Sequence, residues 1–190
     1  VGITGQMHTL VMLDERGESL RPALMWDDTR TRDLLAELRE EIARHPGGDY
    51  LARTISTGSP AANLRWFSRY EPELFSRLYK FLIAPDYLVY RLTGHYGTDF
   101  CEASTSCLYD IERREWSPHM RTLLHLNPSA YPEVRGSAIP AGKLLPEVAR
   151  RFSLRADVEV LTGTGDNPAT AISSGCLGQG YPVISLGTSG

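Results

Sequence analysis

The chain has 190 residues, of which 42% are apolar and 23% are charged, with 20 basic residues against 23 acidic ones. This composition is typical of a soluble protein, and the length allows one large domain or one and a fraction. Charges of both signs are spread evenly over the two halves, which predicts neither a nucleic-acid-binding nor a membrane-binding surface. The longest apolar runs, such as 10–13 and 81–84, fall far short of the roughly 18–20 residues that a membrane-spanning helix needs.

The cysteines and the two ends indicate what kind of chain this is. Cys101, Cys107 and Cys176 form no C-x-x-C pair, so no zinc or redox site is predicted, and the reducing cytoplasm is the expected compartment. The chain opens without an initiator methionine or a targeting segment, and it stops at residues 186–190 without a terminal helix. We therefore expect it to be an internal piece of a longer protein.

The first part of the chain predicts strands followed by one helix. Residues 14–17 are polar and end in glycine, which is typical of a hairpin turn, although a plain loop is the alternative. Residues 27–30 offer capping side chains to a helix whose apolar positions recur at helical spacing until residues 45–48 end it. The predicted strands are 1–4, 9–13 and 20–26.

Proline punctuates the middle of the chain. Pro60, Pro72 and Pro85 each open an apolar run at a first-turn position and so predict three helices, the last of them ending before Gly94. Residues 99–107 are small and polar, and residues 129–143 carry the proline and glycine of a loop. Two further helices are predicted at 117–124 and 144–152.

The last part alternates between strand and helix. Residues 158–162 predict a buried strand, residues 163–168 a tight glycine turn, and the alanine-rich stretch up to Gly175 a helix. Residues 181–186 predict another strand that runs into the loop 187–190. Alternating strands and helices indicate the α/β class.

Asp166 is the strongest candidate for chemistry. It follows a predicted strand at the start of a helix, where ligands collect in open α/β sheets. The flanking glycines let another molecule approach the backbone, and Asn167 offers a donor and an acceptor to a polyol. The alternative is that Asp166 only caps the helix, since Pro168 lies near the first helical position.

Three weaker candidates also follow predicted strands. Gly187 and Thr188 belong to a small-residue loop whose N–H and hydroxyl groups suit a phosphate, although such a loop is often only a turn. His8 could exchange hydrogen bonds with a sugar hydroxyl, or it could be structural. Trp26, followed by Asp27 and Asp28, could provide an apolar ring face beside acceptors, or it could be a core residue beside two helix caps.

Several segments, taken in order and at their approximate spacing, resemble the FGGY family of carbohydrate kinases. They are Gly2–His8, Leu20–Arg30, Ala84–Leu88 with Arg91–Gly94 and Thr98–Asp99, Gly165–Ala169 and Ser185–Gly190. The resemblance implies an α/β fold of the actin-like ATPase and ribonuclease H-like type, with sugar and ATP between two lobes. Residues 1–178 would form the latter part of the N-terminal sugar-binding lobe, and residues 179–190 the opening strand and phosphate loop of the C-terminal nucleotide-binding lobe.

The same resemblance implies roles for individual residues. Asp166 matches the catalytic base, which takes the proton of the sugar hydroxyl as that hydroxyl attacks the γ-phosphate of ATP. ATP and Mg²⁺ are the implied cofactors, and a sugar is the implied partner, while the oligomeric state stays open, a homodimer included. The implied substrate-binding residues are Met7, His8, Trp26, Asp166 and Asn167, and the implied cofactor-binding residues are Gly187 and Thr188.

The sequence Gln6-Met7-His8 resembles the branch of the family that phosphorylates D-xylulose at O5, whereas a glycerol-specific branch carries Arg-Glu there. A kinase for ribulose, glycerol or gluconate and a non-catalytic sugar-binding relative are the alternatives. One departure from the family pattern is Asn63, which stands where a lysine is usual. The phosphate loop expected upstream and most of the nucleotide lobe are missing. We therefore do not expect these residues alone to catalyse phosphorylation.

Overall fold

The computed structural model describes residues 1–176, 178, 180 and 182–184. In this part of the chain, short strands alternate with helices in a mixed α/β arrangement. The strands are β1 Thr4–Gly5, β2 Leu10–Leu13, β3 Lys80–Ile83, β4 Gly97–Asp99, β5 Tyr109–Asp110, β6 Glu115–Trp116, β7 Glu133–Arg135, β8 Pro140–Lys143, β9 Glu159–Leu161 and β10 Thr164–Gly165. The helices are α1 Leu35–Ala43, α2 Asp49–Thr54, α3 Pro60–Tyr70, α4 Pro72–Phe75, α5 Ala84–Thr93, α6 Phe100–Thr105, α7 Pro118–Leu123, α8 Pro146–Arg151 and α9 Asp166–Ser173.

The strands pair two by two. β1 runs parallel to β10, and β4 runs parallel to β7, so that each of these pairs joins distant parts of the chain. The pairs β2 with β3, β5 with β6, and β8 with β9 are antiparallel. The parallel pairing of β1 with β10 positions the candidate site described below.

The β2–β3 pair is buried on both faces. Leu10 and Met12 of β2 point into the largest apolar cluster, which also contains residues of α1, α2, α3 and α7. Val11 and Leu13 point to the opposite face, where they pack with Leu82 against tyrosine rings. A smaller third cluster, built on Val89, Leu144, Ala149 and Val160, packs α5 and α8 against β9.

Proline and glycine punctuation is confirmed. Pro60, Pro72 and Pro85 lie in the first turns of α3, α4 and α5, and Gly94 ends α5. The predicted helix at 117–124 is α7, whose N-terminus is capped by the Ser117 hydroxyl accepting the N–H of Met120. The helix at 144–152, the strand at 158–162 and the alanine-rich helix correspond to α8, β9 and α9.

Three local predictions are wrong or shifted, and one stretch for which no element was predicted forms a helix. Residues 20–26 form no strand, because only single antiparallel bridges link Leu24 to Leu10 and Ser19 to Leu13, although the turn at 14–17 is confirmed. No side chain of residues 27–30 caps a helix, since the helical segment begins at Arg32 behind Thr31, whose hydroxyl caps nothing. Residues 129–143 contain β7 and β8 rather than a loop alone, and the polar stretch 99–107 contains α6.

Two further boundaries differ from the predictions. The first strand is Thr4–Gly5 rather than 1–4, and residues 164–165 form β10 where a turn was predicted. In both cases the parallel partner, which local sequence does not reveal, decides which residues are extended. The predicted strand at 181–186 and the loop 187–190 lie outside the described residues except for 182–184. Among the helices that the structure describes, none combines the length and apolar character needed to span a membrane.

We predict that Phe81→Ala lowers the free energy of unfolding by about 3–5 kcal/mol, because truncating a buried aromatic leaves a cavity. Phe81 is 1% exposed and makes edge-on contacts with Trp116 and Tyr131, with ring centroids 5.9 and 5.2 Å away. Urea unfolding measures the change. The matched control is Phe152→Ala, because Phe152 is 60% exposed, and its effect should stay within about 0.5 kcal/mol. Equal effects of the two changes would contradict the assignment of Phe81 to the core.

Candidate functional site

The pairing of β1 with β10 places residues 4–5 beside residues 164–165. Thr4 lies opposite Thr164 and Gly5 opposite Gly165, and the Thr4 hydroxyl donates to the Gly165 carbonyl over 3.0 Å. Because the strands are parallel, the residues that follow each of them emerge at the same edge. Met7 and His8 follow β1, and Asp166 follows β10, so the first candidates share one side of the molecule.

Gly165 allows this close approach. A Cβ atom on Gly165 would lie 2.5 Å from Cγ of Met7, 2.9 Å from its sulfur and 2.8 Å from Oε1 of Glu102. Only hydrogen fits there without displacing a neighbour, and the turn before Asp166 therefore packs directly on the loop after β1. Met7 is buried at this contact, so its place is under the site rather than at its surface.

His8 is held in an unusual conformation. Its φ of 66° lies in the left-handed region, which a non-glycine residue rarely adopts and which is enriched at functional positions. Burial lowers the pKa of the ring, against smaller opposing effects of the Asp166 carboxylate and the Thr105 carbonyl, so the neutral form is favoured at pH 7. The buried Nδ1 atom has no hydrogen-bond partner among the described residues. A neutral imidazole with an unpaired ring nitrogen can exchange a hydrogen bond with a hydroxyl group.

Asp166 is the first residue of α9, and its backbone position is not that of a cap. Gly165 holds the N-cap position, and no side chain there bonds the first N–H groups, so the interpretation of Asp166 as the helix cap is wrong. Asp166 and Asn167 are both exposed. A carboxylate beside the free N–H groups of a helix start is electrostatically favoured, and it is accessible to a ligand.

Trp26 lies on the neighbouring loop. The Gln6 amide lies 3.6 Å from the Met25 sulfur, which places Trp26 one residue beyond a contact with the loop that carries His8. Its ring is 50% exposed, so Trp26 is not a core residue. Its backbone is fixed by Gly58, whose Cβ atom, if present, would lie 1.8 Å from the Trp26 carbonyl oxygen. The Asp28 carboxylate accepts hydrogen bonds from the backbone N–H and the guanidinium of Arg30. The guanidinium bond is the main reason that the pKa of Asp28 lies below its ordinary value.

Sequence reasoning missed a group of buried acids beneath the site. Glu102 of α6 is 1% exposed, and burial, then Asp86, Asp99 and Asp166, raise its pKa to about 9. Burial likewise raises the pKa of Asp86 to about 8, although its carboxylate accepts the Ile83 N–H. Asp99 caps α6 by accepting the Glu102 N–H over 2.8 Å. The spacing Asp99-x-x-Glu102 is a helix-start signal that could have revealed α6.

In the portion of the chain that the structure describes, no group of three or more histidine, cysteine, aspartate or glutamate side chains could hold a metal ion. Gly187 and Thr188, which the sequence suggests for the nucleotide phosphates, lie outside the described residues.

Comparison with known proteins identifies the family. The model of the N-terminal domain of the FGGY family of carbohydrate kinases matches residues 1–173. The chain belongs to the FGGY family of carbohydrate kinases. The xylulose kinase of Escherichia coli is 36% identical to this chain over 192 aligned residues, and that of Staphylococcus xylosus is 30% identical over 190.

Solved structures of FGGY relatives match the fold. The xylulose kinase of Rhodospirillum rubrum superimposes with a TM-score of 0.86 at 30% identity, over 94% of this chain and 37% of that one. The glycerol kinase of Plasmodium falciparum, with ADP, superimposes with a TM-score of 0.78 over 92% of this chain and 35% of that one, and at 23% identity it supports the fold alone. The mixed α/β fold is therefore that of the N-terminal part of FGGY kinases. The chain spans 39% of the length of the two curated xylulose kinases, all of it aligned.

The residue predicted from sequence to depart from the family pattern, Asn63, has a local structural role. Asn63 is fully buried in α3, and its Nδ2 donates to the Gly58 carbonyl over 3.1 Å, while its Oδ1 has no partner among the described residues. Since Gly58 packs on the Trp26 backbone, Asn63 stabilises the loop that supports Trp26.

We predict that Gly165→Ala lowers the free energy of unfolding by about 1–3 kcal/mol, because the added methyl group overpacks the contact with Met7 and Glu102. The backbone of Gly165 has φ −66°, which alanine adopts freely, so the effect is purely one of space. Urea unfolding measures it. Gly2→Ala is the control, since nothing lies within 4 Å of the added atom. A Gly165→Ala variant as stable as this control would refute the close packing.

Proposed function

We propose that the full-length protein is an ATP-dependent sugar kinase that phosphorylates a ketopentose, D-xylulose to D-xylulose 5-phosphate. The observation that carries the proposal is the placement of an exposed carboxylate, Asp166, on the same edge as the unpaired ring nitrogen of His8. Family membership supports the kinase class, and the names of the relatives support xylulose.

Asp166 would act as the general base. Its carboxylate takes the proton of the O5 hydroxyl, the hydroxyl oxygen bonds to the γ-phosphorus, and the bond from that phosphorus to the β–γ bridging oxygen breaks. ADP leaves with the electron pair of that bond. His8 and Asn167 would hydrogen-bond the sugar hydroxyls, Trp26 would cover an apolar face of the sugar, and Met7 would shape the floor from below.

ATP would bind across the two lobes. We assign residues 1–178 to the N-terminal sugar-binding lobe and residues 179–190 to the opening strand and phosphate loop of the C-terminal nucleotide-binding lobe, as in actin-like ATPase and ribonuclease H-like folds. Gly187 and Thr188 would then approach the phosphates of ATP. Mg²⁺ would enter with the nucleotide and neutralise the phosphate oxygens when it is bound.

The proposed enzyme acts on small molecules. Its partners would be the sugar and ATP, without nucleic acid or membrane, because the formal net charge of −3 is spread over the chain. A homodimer is compatible with the proposal. The cytoplasm is the proposed location, where ATP and reduced thiols coexist.

We predict that Asp166→Asn lowers kcat of the full-length protein by at least about 100-fold, because an amide cannot take the hydroxyl proton. Sugar binding should change little, since the amide keeps the shape of the carboxylate. ADP release gives kcat, and calorimetric titration with D-xylulose gives the dissociation constant. Asp33→Asn, at an exposed position near α1, is the control. If Asp166→Asn keeps more than a few per cent of the wild-type turnover, Asp166 is not the base.

We predict that the full-length protein with Mg-ATP releases ADP faster with D-xylulose than with D-ribulose, L-ribulose, glycerol or gluconate. The expected ratio of kcat/KM is at least about tenfold, the discrimination that one or two specific hydrogen bonds supply. Preference for another compound would keep the kinase and change the substrate. If none of these compounds causes ADP release but D-xylulose still binds, the protein is better described as a non-catalytic sugar-binding protein.

A further inference from the structure

Glu102 has no role in the phosphoryl transfer proposed for Asp166. It lies in α6, directly behind the two segments that carry His8 and Asp166, and α6 packs against β10. Its Oε1 atom points at Gly165, 2.8 Å from where a Cβ atom would stand. The backbone N–H of His8 faces the same carboxyl group. One side chain therefore contacts both segments whose meeting forms the site.

The surroundings of Glu102 oppose a negative charge. The side chain is 1% exposed, and neither carboxyl oxygen has a partner in full hydrogen-bonding geometry among the described residues. The ionisable groups that act on it are Asp86 from α5, Asp99 from the end of β4 and Asp166 from α9, all of which are acids. The backbone of His8 approaches Glu102 from the loop after β1. Cys101 precedes Glu102 in α6, and burial raises the pKa of the Cys101 thiol to about 11. An ionised carboxylate among these acids, without a facing cation, is strongly disfavoured.

We propose that Glu102 is a positioning residue that bridges the His8 loop and the Gly165–Asp166 turn and so fixes the spacing of the sugar-binding histidine and the catalytic base. It does so as an uncharged carboxylic acid that packs against Gly165 through Oε1 and faces the backbone N–H of His8. A second negative charge so close to Asp166 would repel that carboxylate and loosen the contact. This inference rests on the function proposed for Asp166 and His8.

The raised pKa of Glu102 determines how its positioning role depends on pH. The pKa of Glu102 is raised from an ordinary value of 4.5 to about 9, so the folded protein holds this proton throughout the physiological range. Ionisation as the pH rises through about 9 places a charge beneath the site. Positioning should then weaken at alkaline pH in the wild type and should not weaken when the side chain cannot ionise.

The decisive variant is Glu102→Gln, which has the same shape as the uncharged acid and no proton to lose. At pH 7 its kcat/KM for D-xylulose should stay within about threefold of the wild type, because the native group is already neutral. Between pH 8 and 10 the wild type should lose about tenfold or more in kcat/KM, mostly through a higher KM, whereas the glutamine variant should keep its value.

Three further variants separate this effect from others. Glu102→Ala removes the bridge and should lower kcat/KM by about tenfold at pH 7, with no further alkaline loss. Glu112→Gln changes an exposed glutamate and should follow the wild type throughout. Asp86→Asn removes a neighbouring acid whose charge helps to raise the pKa of Glu102, so the alkaline loss should remain but begin at a lower pH than in the wild type.

A spectroscopic measurement tests the same contact without catalysis. The NMR signal of the His8 ring in the full-length protein should show a second step near pH 9 in the wild type, when Glu102 ionises, and no such step in Glu102→Gln. A missing step in the wild type, or equal alkaline profiles of kcat/KM in the two proteins, would overturn the inference. A protein that phosphorylates no sugar but keeps the His8 step would overturn the proposed function while supporting the link from Glu102 to His8.

Discussion

The structure depends on the parallel contact between β1 and β10. These strands have two residues each, so only two residue pairs hold them together. The contact also requires that position 165 carry no side chain. A larger residue there would push Met7 and Glu102 aside, and the loops carrying His8 and Asp166 would separate. The other sheets and the main apolar core hold the scaffold, but this contact decides whether the candidate site exists at all.

Local signals predicted much of the fold, since prolines at helix starts and apolar periodicity act within a few residues. Pro60 and Pro85 begin helices because a proline lacks the N–H that the first turn leaves unused. The predictions failed where pairing is non-local. Residues 133–135 become a strand because 97–99 lie beside them, and residues 20–26 stay irregular although their apolar character favours a strand. Local sequence contains no information about such partners.

Local sequence signals likewise predicted some residues of the candidate site and not others. Asp166 and His8 could be found because they follow strands and belong to recognisable segments, whereas Glu102 could not, since its importance comes from burial beside residues far away in the chain. A glutamate in a polar stretch is typical of an exposed surface. Only the fold shows that it lies under the site, among other acids. Buried acids of this kind cost stability, because burial removes the carboxyl group from water.

The sequence distance across the β1–β10 contact has a consequence for synthesis. Thr4 and Gly165 bond to one another although 161 positions separate them. A ribosome releases β1 long before its partner β10, and Phe67 and Phe81 of the main core become available between the two. The apolar core can therefore form on the nascent chain with the site still open, and the edge of β1 stays unpaired until residues 164–165 have been synthesised. Closing so long a loop is slow and leaves that edge exposed to other chains, so the site depends on a contact that forms after the core.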